Sequence, residues 1–264
     1  MSLYRAAPQD GVVWITGGST GIGRALAFEL VRRGWRVAVS ARKIEAFDSK
    51  QENLPDLDSK IGIYPCDVTD AASVAKTVTA ITKDLGPIVL AVFNAGNYIP
   101  IQANRLDISD FSKTFDVNFM GVINGLVPIV EHMKENGRGQ IAITGSVTSY
   151  GGLPTAAAYG ASKAALNSMA QSLKFDLDRM NIRIQMINPG FVVSELTKKN
   201  DFAMPTLMNT QDAVLRIVKG LESGGFEITF PKRLSMVLKL VNRLPFALYF
   251  WLVAKATGAN KPLE

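Results

Sequence analysis

Short apolar runs rich in β-branched residues recur along this chain, and a longer stretch with helical spacing separates most of them from the next. That alternation permits few folds. Val12–Thr16, Arg36–Ser40, Ile61–Cys66, Ile88–Asn94, Gln140–Gly145, Arg183–Asn188 and Phe226–Phe230 read as strands. Ile22–Arg33, Ala71–Leu85, Phe111–Asn136, Ala157–Met180 and Gln211–Ser223 read as helices. The first stops at Gly34, and the third contains Pro128, an expected kink. The pattern predicts an α/β fold, a doubly wound parallel sheet with helices on both faces. Val89–Phe93 is apolar throughout, as a strand covered on both sides should be. The expectation is one domain over 1–264, with an N-terminal tail (1–10) and a C-terminal helical extension (231–264).

Composition narrows the function classes. With 264 residues, 47% of them hydrophobic and 20% charged, the chain can bury a sizeable core without disulfides, and Cys66 is its only cysteine. Such cysteine usage fits a reducing compartment, and residues 1–10 lack the apolar stretch of a secretory signal. His132 is the sole histidine, so neither a zinc site nor a Ser-His-Asp triad is expected, and no metal is. The net charge is +6, but residues from Lys232 onward hold six bases and one acid, +5, leaving +1 for the body. No basic recognition surface for nucleic acid is visible in that body.

In open α/β sheets, ligands sit beyond the carboxyl ends of the strands. The first such loop is Gly17-Gly18-Ser19-Thr20-Gly21-Ile22-Gly23, between a strand and a helix. Glycines let the backbone turn tightly and approach a ligand, and free amides at the helix start suit a diphosphate. After the second strand comes Ala41-Arg42, with no carboxylate to repel a 2′-phosphate and a guanidinium to pair with one. This reads as NADP(H) preference; a solvated Arg42-Lys43 pair is the plainer alternative. Asp67, followed by Val68, can accept from an adenine amine or cap a helix, a role open to Asp70 as well. Asn94-Ala95-Gly96 ends the fourth strand with small residues that let a planar ligand pass.

Ser146 follows the fifth strand, and the next helix carries Tyr159 and Lys163, four apart and so on one face. A tyrosine of ordinary pKa near 10 is a poor acid or base at neutral pH. A neighbouring ammonium favours the phenolate; reaching about 7 takes about 4 kcal/mol. Ser146 can donate to a substrate oxygen as charge builds there.

With Thr16-Gly17-x3-Gly21-x-Gly23, Asn94-Ala95-Gly96, Asn118, Ser146, Tyr159-x3-Lys163 and Pro189-Gly190 in place, the chain resembles the short-chain dehydrogenase/reductase family from about Val12 to Phe230. The resemblance implies a Rossmann-type domain. It makes Tyr159 the catalytic acid/base and Lys163 the group that lowers its pKa and holds the nicotinamide ribose. It makes Ser146 the carbonyl-orienting group and Asn118 the holder of a water in a relay reaching Lys163. It places Pro189, Gly190 and Val192 beside the nicotinamide and Ser194 near the diphosphate. Phe93 departs from the family, where many members carry a second asparagine. An NADP-selective member is expected to run as a reductase of a small-molecule carbonyl, assembled as a homodimer or homotetramer through the helices at 111–136 and 157–180. The competing reading is an NADP(H)-binding scaffold or redox sensor without turnover.

Substrate contacts are expected from Asn97-Tyr98-Ile99, Gly151–Ala157 and Phe191–Met208. The last reads as an apolar lid with Leu196, Phe202, Met204, Leu207 and Met208 around Pro205, which suggests a hydrophobic substrate. In the extension, Leu234–Leu244 has helical spacing, and Phe246–Ala254 is apolar all round but too short to span a bilayer. The stretch 234–254 can pack on the body or a second subunit, lie in a membrane interface, or wall a lipid pocket. The expected location is cytoplasmic, peripheral at a membrane in the second case.

Overall fold

The computed structural model describes residues 3–44, 47, 60–197, 204 and 206–260. Seven strands form one sheet: β1 (Val12–Thr16), β2 (Arg36–Ala41), β3 (Ile61–Pro65), β4 (Ile88–Phe93), β5 (Gly139–Thr144), β6 (Ile182–Pro189) and β7 (Glu227–Phe230). Their order is β3-β2-β1-β4-β5-β6-β7, and every pairing is parallel. Each strand expected from the sequence is present, with ends within one residue. The helices are α1 (Gly21–Arg32), α2 (Ala71–Leu85), α3 (Ile108–Phe115), α4 (Gly121–Glu135), α5 (Ala157–Arg179), α6 (Thr210–Ser223), α7 (Lys232–Val241) and α8 (Phe246–Thr257).

Strand pleating sends alternate residues to opposite faces. Val13 and Ile15 of β1 join a core with Leu26, Leu30 and Val31 of α1 and Val214, Ile217 and Val218 of α6. Val12 and Trp14 join the other core, with Val78 of α2, Ile129 of α4 and Leu166 of α5. The sheet is therefore covered on both faces, as its apolar strands require. Chain order reverses between β1 and β4, and the crevice at such a switch point lies outside the carboxyl ends of those strands.

The structure corrects the expected helix at Phe111–Asn136. It starts earlier, at Ile108, because Asp107 accepts from the Ser109 amide and caps it. It is then interrupted by a π-helical turn over Asp116–Met120, upstream of Pro128, which lies inside α4. Asn118 sits in that turn, fully buried. Phe93, the departure from the family pattern, points into the core: its ring meets Trp14 edge-on at 5.7 Å, and a Cβ on Gly125 would lie 2.4 Å from it.

Candidate active site

The glycine turn is built for close approach. Gly17 has φ +63°, and a Cβ there would lie 2.6 Å from Ala95 Cα. The Thr16 hydroxyl accepts from the amides of Asn94 (3.0 Å) and Ala95 (3.1 Å), locking the end of β4 against the turn. The Asn94 amide donates to the carbonyls of Thr16 (3.3 Å) and Gly17 (3.1 Å). Asn94, Ala95 and Gly17 thus brace one another. A Cβ on Gly23 would meet Gly17 O at 2.4 Å, so this turn tolerates no side chain there. Thr20 stands at the N-cap of α1, yet its side chain makes no capping bond, and the first turn carries no acid. The helix start offers amide hydrogens and positive dipole to an anion. Ser19 is half-buried, Thr20 and Gly21 are exposed, and Ile22 packs on the core. Ser194 lies beside this turn, 3.8 Å from where a Gly21 Cβ would stand. Its amide donates to Thr197 Oγ1 at 2.9 Å.

At the neighbouring strand ends, Arg42 is exposed after β2, and Asp67 follows β3. The Thr69 amide, its hydroxyl and the charge of Arg42 together hold the Asp67 carboxyl below the usual range, against the opposing effect of burial. Asp67 Oδ1 accepts both the Thr69 amide (3.0 Å) and hydroxyl (2.8 Å), while Asp70 caps α2 through the Ala72 amide. Val68 packs its side chain against Gly121, and its carbonyl accepts from Asn124 at 2.9 Å.

The reactive set assembles where β4, β5 and α5 meet. Lys163 is fully buried, and its Nζ donates to the Thr144 carbonyl at 2.7 Å. Burial pushes its pKa down to about 8. Nζ lies 5.7 Å from the ring centre of Tyr159. The surrounding protein raises the Tyr159 phenol above its ordinary value, and its hydrogen bond with Ser146 pulls it part of the way back. This is opposite to the direction expected from the Tyr-x3-Lys pattern. Desolvation disfavours the phenolate, and Lys163 gives one of its three N–H donors to Thr144. Ser146 Oγ also accepts from the Thr148 amide at 3.1 Å.

Asn118 is fixed on all sides. Its Oδ1 accepts from Asn97 N (2.8 Å), and its Nδ2 donates to Asn97 O and Ser162 Oγ (both 3.1 Å). A Cβ on Gly96 would lie 3.3 Å from Asn118 Oδ1 and 3.6 Å from Lys163 Nζ, so Gly96 keeps these two polar groups close. Thr144, Asn97 and Ser162 are positioning residues that spacing alone did not reveal, since each acts through a buried contact with a distant partner.

An uncharged cleft of about 560 Å³, counting its solvent-open mouth, lies over Ser146 and Tyr159. All three expected loops reach it, through Tyr98, through Leu153, Pro154 and Ala156, and through Phe191, Leu196 and Thr197. Tyr98 meets Tyr159 edge-on at 5.3 Å, and its hydroxyl bonds Thr155 Oγ1 at 2.9 Å. Gly190 also lines the cleft, just past buried Pro189, and Val192 is buried beneath. Of the expected lid, Met208 instead pairs with Val192 and packs on the core. Phe202 and Pro205 lie outside the described residues. His132 is structural: its Nε2 accepts the Ile88 amide at 3.1 Å.

A doubly wound sheet with a braced glycine turn at its switch point and a Ser–Tyr–Lys set beneath a cleft defines a Rossmann-type oxidoreductase. The sequence model of the short chain dehydrogenase family matches residues 11–204, and the chain belongs to that family. An uncharacterized oxidoreductase of Myxococcus xanthus is 35% identical over 235 residues, 89% of this chain and 93% of that one. The gluconate 5-dehydrogenase of Gluconobacter oxydans is 31% identical over 185 residues, 70% of this chain and 72% of that one. Among solved structures, a short chain dehydrogenase from Burkholderia cenocepacia in complex with NADP superposes with TM-score 0.79 at 24% identity, covering 92% of this chain and 97% of that one. ElxO with NADP bound does so with TM-score 0.72 at 25% identity, covering 83% and 97%.

Proposed function

We propose that this protein is an NADP(H)-dependent reductase of hydrophobic carbonyl compounds, built as one domain with 231–264 as an appendage. The carrying observation is Tyr159, bonded to Ser146 and backed by Lys163, on the wall of a cleft lined by Val147, Leu153, Pro154, Phe191 and Leu196 without any charged side chain. The residues present fit the cofactor. The uncapped start of α1 and the side-chain-free approach at Gly17 suit a diphosphate, with Ser19, Thr20, Gly21, Ile22, Gly23 and Ser194 around it. Arg42 suits a 2′-phosphate, with Asp67 and the Val68 backbone at the adenine end. NADP is named for two of the similar structures. When bound, the cofactor supplies or accepts the hydride. Asn94, Ala95, Gly96, Pro189, Gly190 and Val192 frame its nicotinamide end.

Within the cleft, Ser146 orients the carbonyl oxygen and Tyr159 gives its proton to the developing alkoxide. In the reductive direction Tyr159 enters this step as the neutral phenol, with that proton to give. Lys163 anchors the strand end and, with Asn118, forms the route by which the proton is replaced. The name of the Gluconobacter relative, a dehydrogenase acting on a hydroxy acid, supports alcohol/carbonyl chemistry. The family resemblance supports a homodimer or homotetramer through α4 and α5. The location proposed is the cytoplasm, with peripheral membrane contact through 234–254.

The test is oxidation of NADPH and NADH against a panel of short- and long-chain ketones and aldehydes. Turnover with NADPH, rising with chain length and reduced about 10²–10⁴-fold in Tyr159→Phe, is expected. Tight NADPH binding with no turnover in either direction would return the sensor reading.

A further inference from the structure

The C-terminal helices are fastened to the body by one face and show an apolar, basic face outward. On α7, Ser235 is buried against Thr229, and Lys239 is paired with Glu227 of β7. One turn round, Met236, Val237 and Leu240 are exposed. On α8, Tyr249 is buried, with its hydroxyl donating to the Gly152 carbonyl. Phe246, Phe250 and Trp251 face away, 75%, 63% and 57% exposed. Phe246 and Phe250 stack at 6.0 Å, and Lys255 lies 5.1 Å over the Trp251 ring. Single exposed apolar residues are ordinary; three on each of two consecutive helices, with Phe246 and Phe250 stacked, are more than scatter and need an occupant.

Charge selects the occupant. Residues 232–260 contain Lys232, Arg233, Lys239, Arg243 and Lys255 and no acid. All but Lys239 are exposed. A second copy seated on this face by a twofold axis would set the same bases against themselves, with no carboxylate in 232–260 to offset them. A bilayer bearing anionic headgroups satisfies both features: phosphates and carboxylates for the bases, acyl and interfacial depth for the aromatics. No described helix is long and apolar enough to cross a membrane, so contact is lateral.

We propose that α7 and α8 form a docking face for anionic lipid, and that the opposite, inward side of the same helices backs one wall of the substrate cleft. A Cβ on Gly151 would lie 2.7 Å from Asn242 Oδ1 and 2.8 Å from the Tyr249 hydroxyl, and one on Gly190 3.1 Å from Leu234. The cleft wall at Leu153–Pro154 and Gly190 therefore stands beside the docked helices. A carbonyl compound dissolved in the bilayer meets the enzyme at the side where its cleft is walled. This deepens the peripheral-contact reading by naming the lipid. Only its consequence for substrate rests on the reductase reading.

The experiment is flotation of the full-length protein with phosphatidylcholine vesicles, alone or with about one-third phosphatidylserine. Emission of Trp251 is followed in parallel, since Trp14 and Trp35 are buried. Expected is flotation with the anionic vesicles only, with a blue shift. Phe246→Ser/Phe250→Ser and Arg243→Glu/Lys255→Glu should each abolish flotation while melting like the parent. The charge variant should weaken attraction by roughly fivefold per base before counting the reversal. A parent protein that stays unbound with both vesicle types overturns the proposal. So does an oligomer, seen by light scattering, that the Phe246→Ser/Phe250→Ser variant splits without any vesicle binding by the parent. Flotation does not depend on turnover, so a vesicle-bound protein inactive on every carbonyl would sink the reductase reading and leave this one standing.

Discussion

Replacing Gly17 with alanine tests whether the glycine turn is held by contact rather than by local preference alone. Two penalties add. At φ +63° a Cβ costs about 1–2 kcal/mol, the usual price of left-handed backbone for an L-residue. That Cβ would also lie 2.6 Å from Ala95 Cα and 2.9 Å from Ala95 N, both backbone atoms. Ala95 can withdraw only by giving up the bonds that it and Asn94 make to Thr16 Oγ1, about 1 kcal/mol each. The total is about 3–4 kcal/mol. At about 2–4 °C per kcal/mol, the melting temperature should fall by about 6–16 °C. If the loop relaxes and the cofactor must restore it, the same energy appears as a roughly 10²–10³-fold rise in the NADPH Kd. Gly21→Ala is the internal control: φ is +54°, but the nearest atom to its Cβ is Ser194 Cβ at 3.8 Å, so only the backbone strain remains. It should lose about 2–8 °C. Thermal melts and fluorescence titration with NADPH read both quantities. If the two variants melt together and bind NADPH alike, the contact with Ala95 carries no energy and the reasoning is wrong.

Lys163 has its pKa depressed from 10.5 to about 8, so the unfolded chain binds more protons between those values. The parent should gain stability as pH rises from 8 to 10.5 relative to Lys163→Met; parallel denaturation midpoints across that window would refute the buried charge. The His132 imidazole is also depressed by burial, and its Nε2 must be unprotonated to accept the Ile88 amide. Its contribution is full above the unfolded value of about 6.5 and is lost as pH falls through the lower folded value, so His132→Ala should flatten the melting curve's acid limb. Glu227 accepts from Tyr150 (2.6 Å) and Asn188 (3.0 Å) and pairs with Lys239; Asn188 continues through Asn167 and Ser149 to the Ser146 carbonyl. Glu227→Gln should cost about 1–2 kcal/mol after screening and lower kcat with the KM for NADPH unchanged; an unaltered kcat would mean the chain of bonds does not position Ser146.

Strands and most helices were legible because they rest on short-range periodicity, which a single sequence displays in full. Thr20, Gly21 and Gly23 were legible as a tight glycine turn opening a helix for the same reason: glycine and helix start are neighbours in the chain. The break at Asn118 was not, because nothing local demands it. Asn118 is fixed by Asn97 and Ser162, 21 and 44 residues away, and the helix accommodates that fit with a π-helical turn. The Glu227 network was hidden too, since its members come from β6, β7, α5, α7 and the turn after Ser146. The sign at Tyr159 was the instructive case. Spacing places a lysine on its helix face, and a lysine there suggests a stabilised phenolate. The fold instead brings Lys163 onto the Thr144 carbonyl and half-buries Tyr159 at the cleft, so desolvation sets the direction at the phenol. Sequence proximity identifies which groups can interact; which of them wins depends on solvent access and on prior commitments, and both belong to the tertiary structure.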